Sequence, residues 1–290
     1  MIADSDLILN TDGSVYHLHL LPHQVAETII TVGDPDRVAD VSKHFDTIEH
    51  KANHREFITH TGYLNNHRLT VISTGIGTDN IDIVLQELDM LFNVDLVGRK
   101  VKESHTPLRI IRLGTSGCLQ ADIPLESILC SEYAIGLDGL LHHYLFENSI
   151  QEINLLNSFT GQISLPNITP YVFKASESLL SVFEKKYYKG VTVTAEGFYA
   201  PQGRKIRAGL TNPGVLDQLT AFHHPHGKIT NLEMETAGIY GLGKVLGHEC
   251  ISINALIANR ALGLFSPDPK KVVDKMIEEV LELITASLPI

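Results

Sequence analysis

The sequence predicts a single α/β domain, residues 1–290, with helices packed on both faces of a central mixed β-sheet in three layers. Two observations support this prediction. Short apolar runs rich in β-branched residues alternate along the chain with longer stretches of helical periodicity. The chain is 43% apolar, which is enough to fill one large core, and no linker rich in proline or serine divides it.

The same patterns place individual elements. Strands are expected at residues 28–32, 68–74, 108–113, 191–194 and 250–258. A helix is expected over residues 79–92, and a last helix that opens at residues 266–268 should bury one apolar face against the sheet. Residues 93–107 are polar and carry several charges, so we expect them to form a surface loop.

The charge and cysteine content limit the classes of function. The formal net charge is −11, so a general affinity for nucleic acid or anionic membranes is not expected, and any anion site must be local. The three cysteines have no C-x-x-C spacing, which indicates buried thiols in a reducing compartment and not disulfides or a zinc site. No leader sequence and no run of about 20 apolar residues is visible, so the expected location is the cytoplasm.

The segment Gly-Asp-Pro-Asp-Arg at residues 33–37 is the first candidate site. It follows an apolar strand, with Asp34 as a helix N-cap and Pro35 in the first helical position. The free N–H of Gly33, the helix N-terminus and Arg37 would together bind a small dianion such as phosphate. An ordinary strand-to-helix turn would have the same sequence, so this motif alone leaves both interpretations open.

A second candidate is Arg-Leu-Gly-Thr-Ser-Gly at residues 112–117, after another apolar strand. We expect Arg112 near the carboxyl end of that strand, where ligands collect in open α/β sheets. A turn containing Thr115 would then offer N–H groups and hydroxyls. A buried arginine needs an anionic partner, and a structural salt bridge would serve as well as a ligand.

The run Ser-Thr-Gly-Ile-Gly-Thr at residues 73–78 is glycine-rich but matches neither common nucleotide-cofactor motif. Asn80 stands where G-x-G-x-x-G has its third glycine, and no P-loop lysine follows. These glycines are expected to let a strand-to-helix turn pack closely beside a ligand.

Glu-Met-Glu at residues 233–235 occupies another expected change from strand to helix. Glu235 would lie near the helix N-terminus, which favours its ionised form and makes it an acceptor for paired sugar hydroxyls. A carboxylate that only caps the helix is the alternative.

Taken in order, these segments, with His17 and the His-Arg-Glu-Phe run at residues 54–57, resemble the nucleoside phosphorylases of the uridine phosphorylase type. The resemblance extends from about His17 to the final helix and depends on the ordered set. It implies a nucleoside-phosphorylase fold and the reversible phosphorolysis of uridine to uracil and ribose 1-phosphate in pyrimidine salvage.

Two further segments set the base specificity that the resemblance implies. Residues 198–204 are similar to the base-binding segment of uridine phosphorylases, and Gln202 with Arg204 can read the O2, N3 and O4 edge of uracil. Residues 257–260 lack the aspartate with which purine phosphorylases protonate the purine. Arg260 would help Gln202 and Arg204 to stabilise uracil as it leaves as an anion.

The resemblance implies a role for each matching residue. Phosphate would be held by Gly33, Arg37, Arg112 and Thr115, with Arg55 contributed by a neighbouring subunit. The ribose would be held by Met234 and Glu235, with Glu233 close by and His17 reaching the 5′-hydroxyl from the neighbour. The base would be framed by Phe198, Gln202, Arg204, Ile257 and Arg260. The catalytic residues would be Arg112, Arg204 and Glu235.

The resemblance implies no metal and no organic cofactor, since inorganic phosphate is a co-substrate. Some members of the family hold a monovalent cation at a dimer contact, near the positions of Glu56 and Ile76. Asn80 stands where a serine is usual, which leaves cation binding open. Shared sites require a homo-oligomer of at least two subunits, and the insertion at residues 93–107 leaves dimer and hexamer open.

Substrate breadth is also open from the sequence. The alternatives are a phosphorylase that accepts thymidine, deoxyuridine or purine nucleosides, and a non-catalytic nucleoside-binding protein of the same fold. The missing aspartate and the Gln-x-Arg pair argue against purines. The intact set of arginines argues against a protein that only binds nucleosides.

Overall fold

The computed structural model describes residues 1–288, which form thirteen strands and seven α-helices. The strands are β1 (Thr28–Val32), β2 (Thr47–His54), β3 (Phe57–Leu64), β4 (His67–Ser73), β5 (Val94–Asp95), β6 (Lys100–Val101), β7 (Arg109–Cys118), β8 (Ile128–Gly136), β9 (Tyr171–Lys174), β10 (Tyr188–Thr194), β11 (Ile229–Glu233), β12 (Glu249–Asn259) and β13 (Leu264–Phe265). The helices are α1 (Pro35–Ser42), α2 (Thr78–Asn93), α3 (Ile150–Gln162), α4 (Glu177–Phe183), α5 (Val215–Ala221), α6 (Thr236–Leu246) and α7 (Pro269–Ser287).

The sheet is mixed, as predicted, and β7 is at its centre. β7 pairs in parallel with both β1 and β12, while its last residues pair with β11 in antiparallel orientation. From β12 the sheet continues through β8, β10 and β11 back to β7, so this half closes on itself. On the other side it continues through β1, β4, β3 and β2 as an open sheet.

The helices form two groups that cover the sheet, which confirms the three-layer α/β/α prediction. The helices α1, α4 and α7 contact β1, β3, β4, β7, β8 and β12, and α7 packs against both α1 and α4. The helices α2 and α6 pack against each other, and α6 also contacts β8, β9, β10 and β12. No helix within residues 1–288 is long and apolar enough to cross a membrane.

The surface loop predicted at residues 93–107 is only partly correct. A short hairpin of β5 and β6 forms there, closed by the Asp95 carboxylate, which accepts a hydrogen bond of 2.9 Å from the N–H of Gly98. The Arg99 guanidinium donates to the carbonyls of Ile2 and Leu7, so the insertion is fastened to the start of the chain. Hydrogen bonds from polar side chains, whether local or to the distant start of the chain, leave no apolar periodicity for a sequence pattern to detect.

Candidate active site

A cavity of about 640 Å³ opens where the sheet splits beside β7. The shorter neighbour β1 ends at Val32, one residue beyond the pair Thr31–Arg112, whereas β7 continues along β12 to Cys118. Because β1 ends before β7, a space opens at the carboxyl ends of these parallel strands, which is where ligand sites collect in α/β sheets. From the predicted site, the cavity is lined by Gly33, Arg37, Arg112, Thr115, Phe198, Gln202, Arg204, Glu233, Met234, Glu235 and Ile257.

The predicted end of the second strand at Leu113 is wrong. Residues 114–118 are part of β7 and not a turn, because β12 pairs with this strand along its whole length. Gly114 is needed there for space: a Cβ at this position would lie 1.8 Å from Nη1 of Arg112. The absence of a side chain therefore lets the Arg112 guanidinium fold over its own strand.

Arg112 is buried and ion-paired to two carboxylates. Its Nη2 lies 2.5 Å from Oε2 of Glu235 and 3.1 Å from Oε2 of Glu233, and its Nη1 donates to Oδ1 of Asn254 at 2.9 Å. Burial by itself lowers the pKa of Arg112, but the two carboxylates outweigh it and raise the pKa above its ordinary value. The structural salt bridge, one of the two alternatives that the sequence left open for Arg112, is thus present. Arg112 also lines the cavity, so the salt bridge does not remove it from the site.

The two glutamates at the start of α6 have different roles. Glu233 caps the helix, since its Oε2 accepts hydrogen bonds of 2.9 Å from the N–H groups of Glu235 and Thr236. Glu235 makes no such cap, and its Oε1 accepts 2.7 Å from the N–H of Gly77 at the start of α2. Burial raises the pKa of Glu235 above its ordinary value and the charge of Glu233 adds to the shift, while the charge of Arg112 and the N–H of Gly77 oppose it.

The turn after β1 has the predicted geometry. The Asp34 carboxylate accepts a hydrogen bond of 3.0 Å from the N–H of Asp36, and Pro35 begins α1. Arg37 reaches across to donate 3.2 Å to the carbonyl of Leu113. Burial lowers the pKa of Arg37; the charge of Asp34 opposes this shift and that of Arg112 adds to it. An anion between the two guanidiniums would relieve their repulsion.

Phe198, Gln202 and Arg204 form one part of the cavity lining. The Arg204 guanidinium lies 3.8 Å from the Phe198 ring centroid and donates 2.6 Å hydrogen bonds to the Phe198 carbonyl and to Oε1 of Gln202. Burial, with a contribution from Arg260, lowers the pKa of Arg204 to about 10, so it stays charged at neutral pH. Arg260 is not in the cavity lining and instead donates 3.2 Å to the Gln202 carbonyl.

His17 and Arg55 lie together outside the cavity lining. The Nδ1 of His54, the residue before Arg55, is 2.8 Å from the His17 carbonyl, and Tyr16 lies beneath Arg55 at 5.8 Å from the ring centroid to Cζ. The two residues expected to reach a neighbouring subunit's site thus form one patch of surface.

The structure also adds residues that the sequence did not single out. Phe265 lines the cavity and is 64% exposed, and Leu232 lines it as well. Phe265 follows a glycine loop with no periodicity, so no sequence signal marked it. Nδ2 of Asn80 donates a hydrogen bond of 3.2 Å to Oε1 of Glu56, and both residues line the cavity.

One group of potential metal ligands is present within residues 1–288, namely Asp89, His105 and His248. None of them lines the cavity. The Nδ1 of His248 accepts a hydrogen bond of 3.2 Å from the N–H of Leu108, so the neutral ring carries its proton on Nε2. That nitrogen then has no lone pair to offer a metal ion.

Known proteins are similar to this chain over most of its length. The sequence model of the phosphorylase superfamily matches residues 27–289. A uridine phosphorylase from Thermococcus kodakarensis is 26% identical over 94% of this chain and 87% of its own length. A DeoD-type purine nucleoside phosphorylase from Hahella chejuensis is 25% identical over 92% of this chain and 96% of its own.

A solved structure is similar along nearly the whole chain. The crystal structure of a Trypanosoma brucei nucleoside phosphorylase, described as showing uridine phosphorylase activity, superposes with a TM-score of 0.89. It is 28% identical, and the match covers 98% of this chain and 99% of the other.

Proposed function

The chain belongs to the phosphorylase superfamily, and we propose that it is a pentosyltransferase that splits uridine with inorganic phosphate into uracil and ribose 1-phosphate, reversibly. The observation that carries the proposal is the Gln202–Arg204 pair at one end of a cavity whose other end is lined by Arg37 and Arg112. A nucleoside and a phosphate would fit between them with C1′ in the middle.

The base end supports uracil because of its hydrogen-bonding groups. Gln202 offers a carbonyl oxygen and an NH₂ group, and Arg204 offers only donors. Uracil presents two carbonyl oxygens and one N–H, which match this set. Cytosine presents an amino group in place of O4 and an acceptor in place of N3–H, so Arg204 and the Gln202 carbonyl oxygen that accepts from N3–H would face the wrong partners. We therefore propose that cytidine is rejected.

In the proposed mechanism the protein positions and stabilises charges. Phosphate held by Gly33, Arg37 and Thr115 attacks C1′ while the bond to N1 of uracil lengthens. Arginine has five N–H donors, so Arg112 can serve its two carboxylates and still contact phosphate. Glu235 accepts from ribose hydroxyls, with Met234 against the sugar, and the negative phosphate stabilises the cationic sugar. Arg204 stabilises the departing uracil anion.

A homo-oligomer of at least two subunits completes the proposed site. Its support is the position of His17 and Arg55, which share one patch outside the cavity lining of their own chain. In this proposal Arg55 reaches the phosphate and His17 the 5′-hydroxyl of the adjacent subunit.

Two further properties belong to the proposal. The reaction needs no metal or organic cofactor, because the attacking group is phosphate, already an anion, and the arginines supply the positive charge. The location is the cytoplasm, which suits three buried free thiols, Cys118, Cys130 and Cys250.

The test is to incubate the purified protein with uridine, thymidine, cytidine or inosine, each with and without phosphate, and to measure free base and ribose 1-phosphate. We expect phosphate-dependent uracil release and little hypoxanthine. Release of hypoxanthine at a similar rate would favour the broader specificity that the purine-phosphorylase relative suggests. Release without phosphate would reject the phosphate site, and no turnover would favour a nucleoside-binding protein.

A further inference from the structure

Glu87, in the middle of α2, binds the loop that carries His17. Its side chain is 8% exposed, and its carboxylate accepts hydrogen bonds from the N–H of His17 at 2.9 Å and of Leu18 at 2.8 Å. Its Oε1 also lies 2.6 Å from Nδ1 of the His17 ring. Three donors therefore converge on one carboxylate that is distant in sequence from all of them.

This arrangement decides which nitrogen of the His17 ring carries the proton. Both oxygens of Glu87 already face N–H groups, so the carboxylate acts as an acceptor and Nδ1 must be the donor. The neutral ring then presents Nε2 as an acceptor. No group within residues 1–288 forms a hydrogen bond with Nε2, and the His17 side chain is 27% exposed.

The backbone of His17 is fixed as well as its ring. Its carbonyl lies 2.8 Å from Nδ1 of His54, and the Tyr16 ring packs edge-on against the imidazole with centroids 4.8 Å apart. Nε2 is thus the one polar atom of this residue that is available to a ligand.

We propose that Glu87 is a positioning residue for the neighbouring subunit's site. It holds His17 with Nε2 as an acceptor, ready for the 5′-hydroxyl of the nucleoside. This inference rests on the proposed function, in which His17 contacts that hydroxyl. Glu87 itself touches no substrate and acts through His17.

The experiment compares uridine with 5′-deoxyuridine, which lacks the hydroxyl. In Glu87→Gln we expect the KM for uridine to rise roughly three- to tenfold, as for loss of one hydrogen bond, with little change in kcat. The kinetics with 5′-deoxyuridine should match those of the wild type. The double variant that carries both Glu87→Gln and His17→Ala should have the same KM for uridine as His17→Ala alone.

The matched control is Asp82→Asn, on the same helix, where the carboxylate accepts from Tyr144 and has no part in the site. It should leave the KM of both substrates unchanged. If the KM of Glu87→Gln for uridine equals that of the wild type, or rises equally for both substrates, the positioning role of Glu87 is rejected while the proposed function stands. If the wild type releases no uracil, the proposed function itself fails.

A second measurement depends neither on the Glu87→Gln variant nor on turnover. Nitrogen-15 shifts of histidine-labelled wild-type protein, with the His17 signals identified by their loss in His17→Gln, report the tautomer directly. The proposal requires a neutral ring protonated on Nδ1. A ring protonated on Nε2 would overturn it.

Discussion

The Arg112 guanidinium and the Glu235 carboxylate are joined by a hydrogen bond of 2.5 Å between Nη2 and Oε2, with both side chains buried. Because Arg112 is proposed to contact phosphate and Glu235 to contact ribose, the two halves of the site are one ion-paired unit. Glu233 adds a second carboxylate, so the three side chains carry one net negative charge when all are ionised.

Glu235→Gln should lower activity through the proposed ribose contact. In the wild type Arg112 donates to Oε2 and the N–H of Gly77 donates to Oε1, so the single amide oxygen of the variant replaces only one of these two acceptors, while Glu233 keeps Arg112 paired. We expect kcat/KM for uridine to fall roughly 10- to 150-fold, as for a lost hydrogen bond to a charged group. The free energy of unfolding in urea at pH 7 should fall by about 1–3 kcal/mol, because one buried donor then faces the amide NH₂ group.

The same variant tests the pKa of Glu235. Burial raises the folded-state pKa above the ordinary 4.5, so this group stabilises the fold fully below that value and loses the contribution as pH rises through the folded pKa. Relative to Glu235→Gln, the wild type should become less stable as pH increases above about 4.5. A stability difference that is independent of pH, or of opposite slope, would contradict the raised pKa.

Gly114→Ala should disturb Arg112 directly. The new Cβ would lie 1.8 Å from Nη1, so the guanidinium must move away from Glu235. We expect a loss of about 1–3 kcal/mol in unfolding free energy and a higher KM for phosphate. Gly161→Ala, in α3, is the control, because its Cβ meets no atom within 4 Å. Equal stability of the two variants would argue against the tight fit.

Arg204→Ala should remove stabilisation of the departing uracil. We expect a loss of about 2.7–4 kcal/mol of transition-state stabilisation, or roughly 100- to 1000-fold in kcat/KM for uridine. Arg207→Ala, three residues along and exposed, should be close to wild type. A near-wild-type kcat/KM for Arg204→Ala would show that Arg204 does not stabilise the departing uracil.

Arg37→Lys should weaken phosphate binding selectively. A lysine keeps the charge but loses the planar pair of donors, so we expect the KM for phosphate to rise by about tenfold or more, about 1.4 kcal/mol. The KM for uridine should change little. The control is Arg109→Lys, because Arg109 begins β7 and does not line the cavity. A rise in the KM for uridine alone would place Arg37 at the wrong end of the cavity.

Mixed oligomers should test the shared site. Arg55→Ala and Arg204→Ala subunits are each expected to be nearly inactive alone. In a hybrid, one site combines an intact Arg204 with the partner's intact Arg55. Random pairing in a two-site dimer then restores roughly a quarter of wild-type activity. Co-expressed subunits measured against each single variant would show this, and no recovery in verified hybrids would reject a shared site.

Local patterns predicted much of the fold because they depend on residues close in sequence. The Asp34 cap, the buried strands and the apolar face of α7 all follow from short-range periodicity and turn chemistry. The hairpin at β5 and β6 was missed, since it is held by the Asp95 side chain and by Arg99 contacts with the chain start. Neither leaves a periodic signal.

The sequence by itself determined the class of fold, the family and the set of polar residues that gather at the strand ends. Tertiary structure alone decided that Arg112 is shared between two carboxylates and that Glu87 holds His17. The physical reason is distance along the chain. Partners 70 to 123 residues apart meet only after the sheet and helices have packed, and burial then sets their charges and hydrogen bonds.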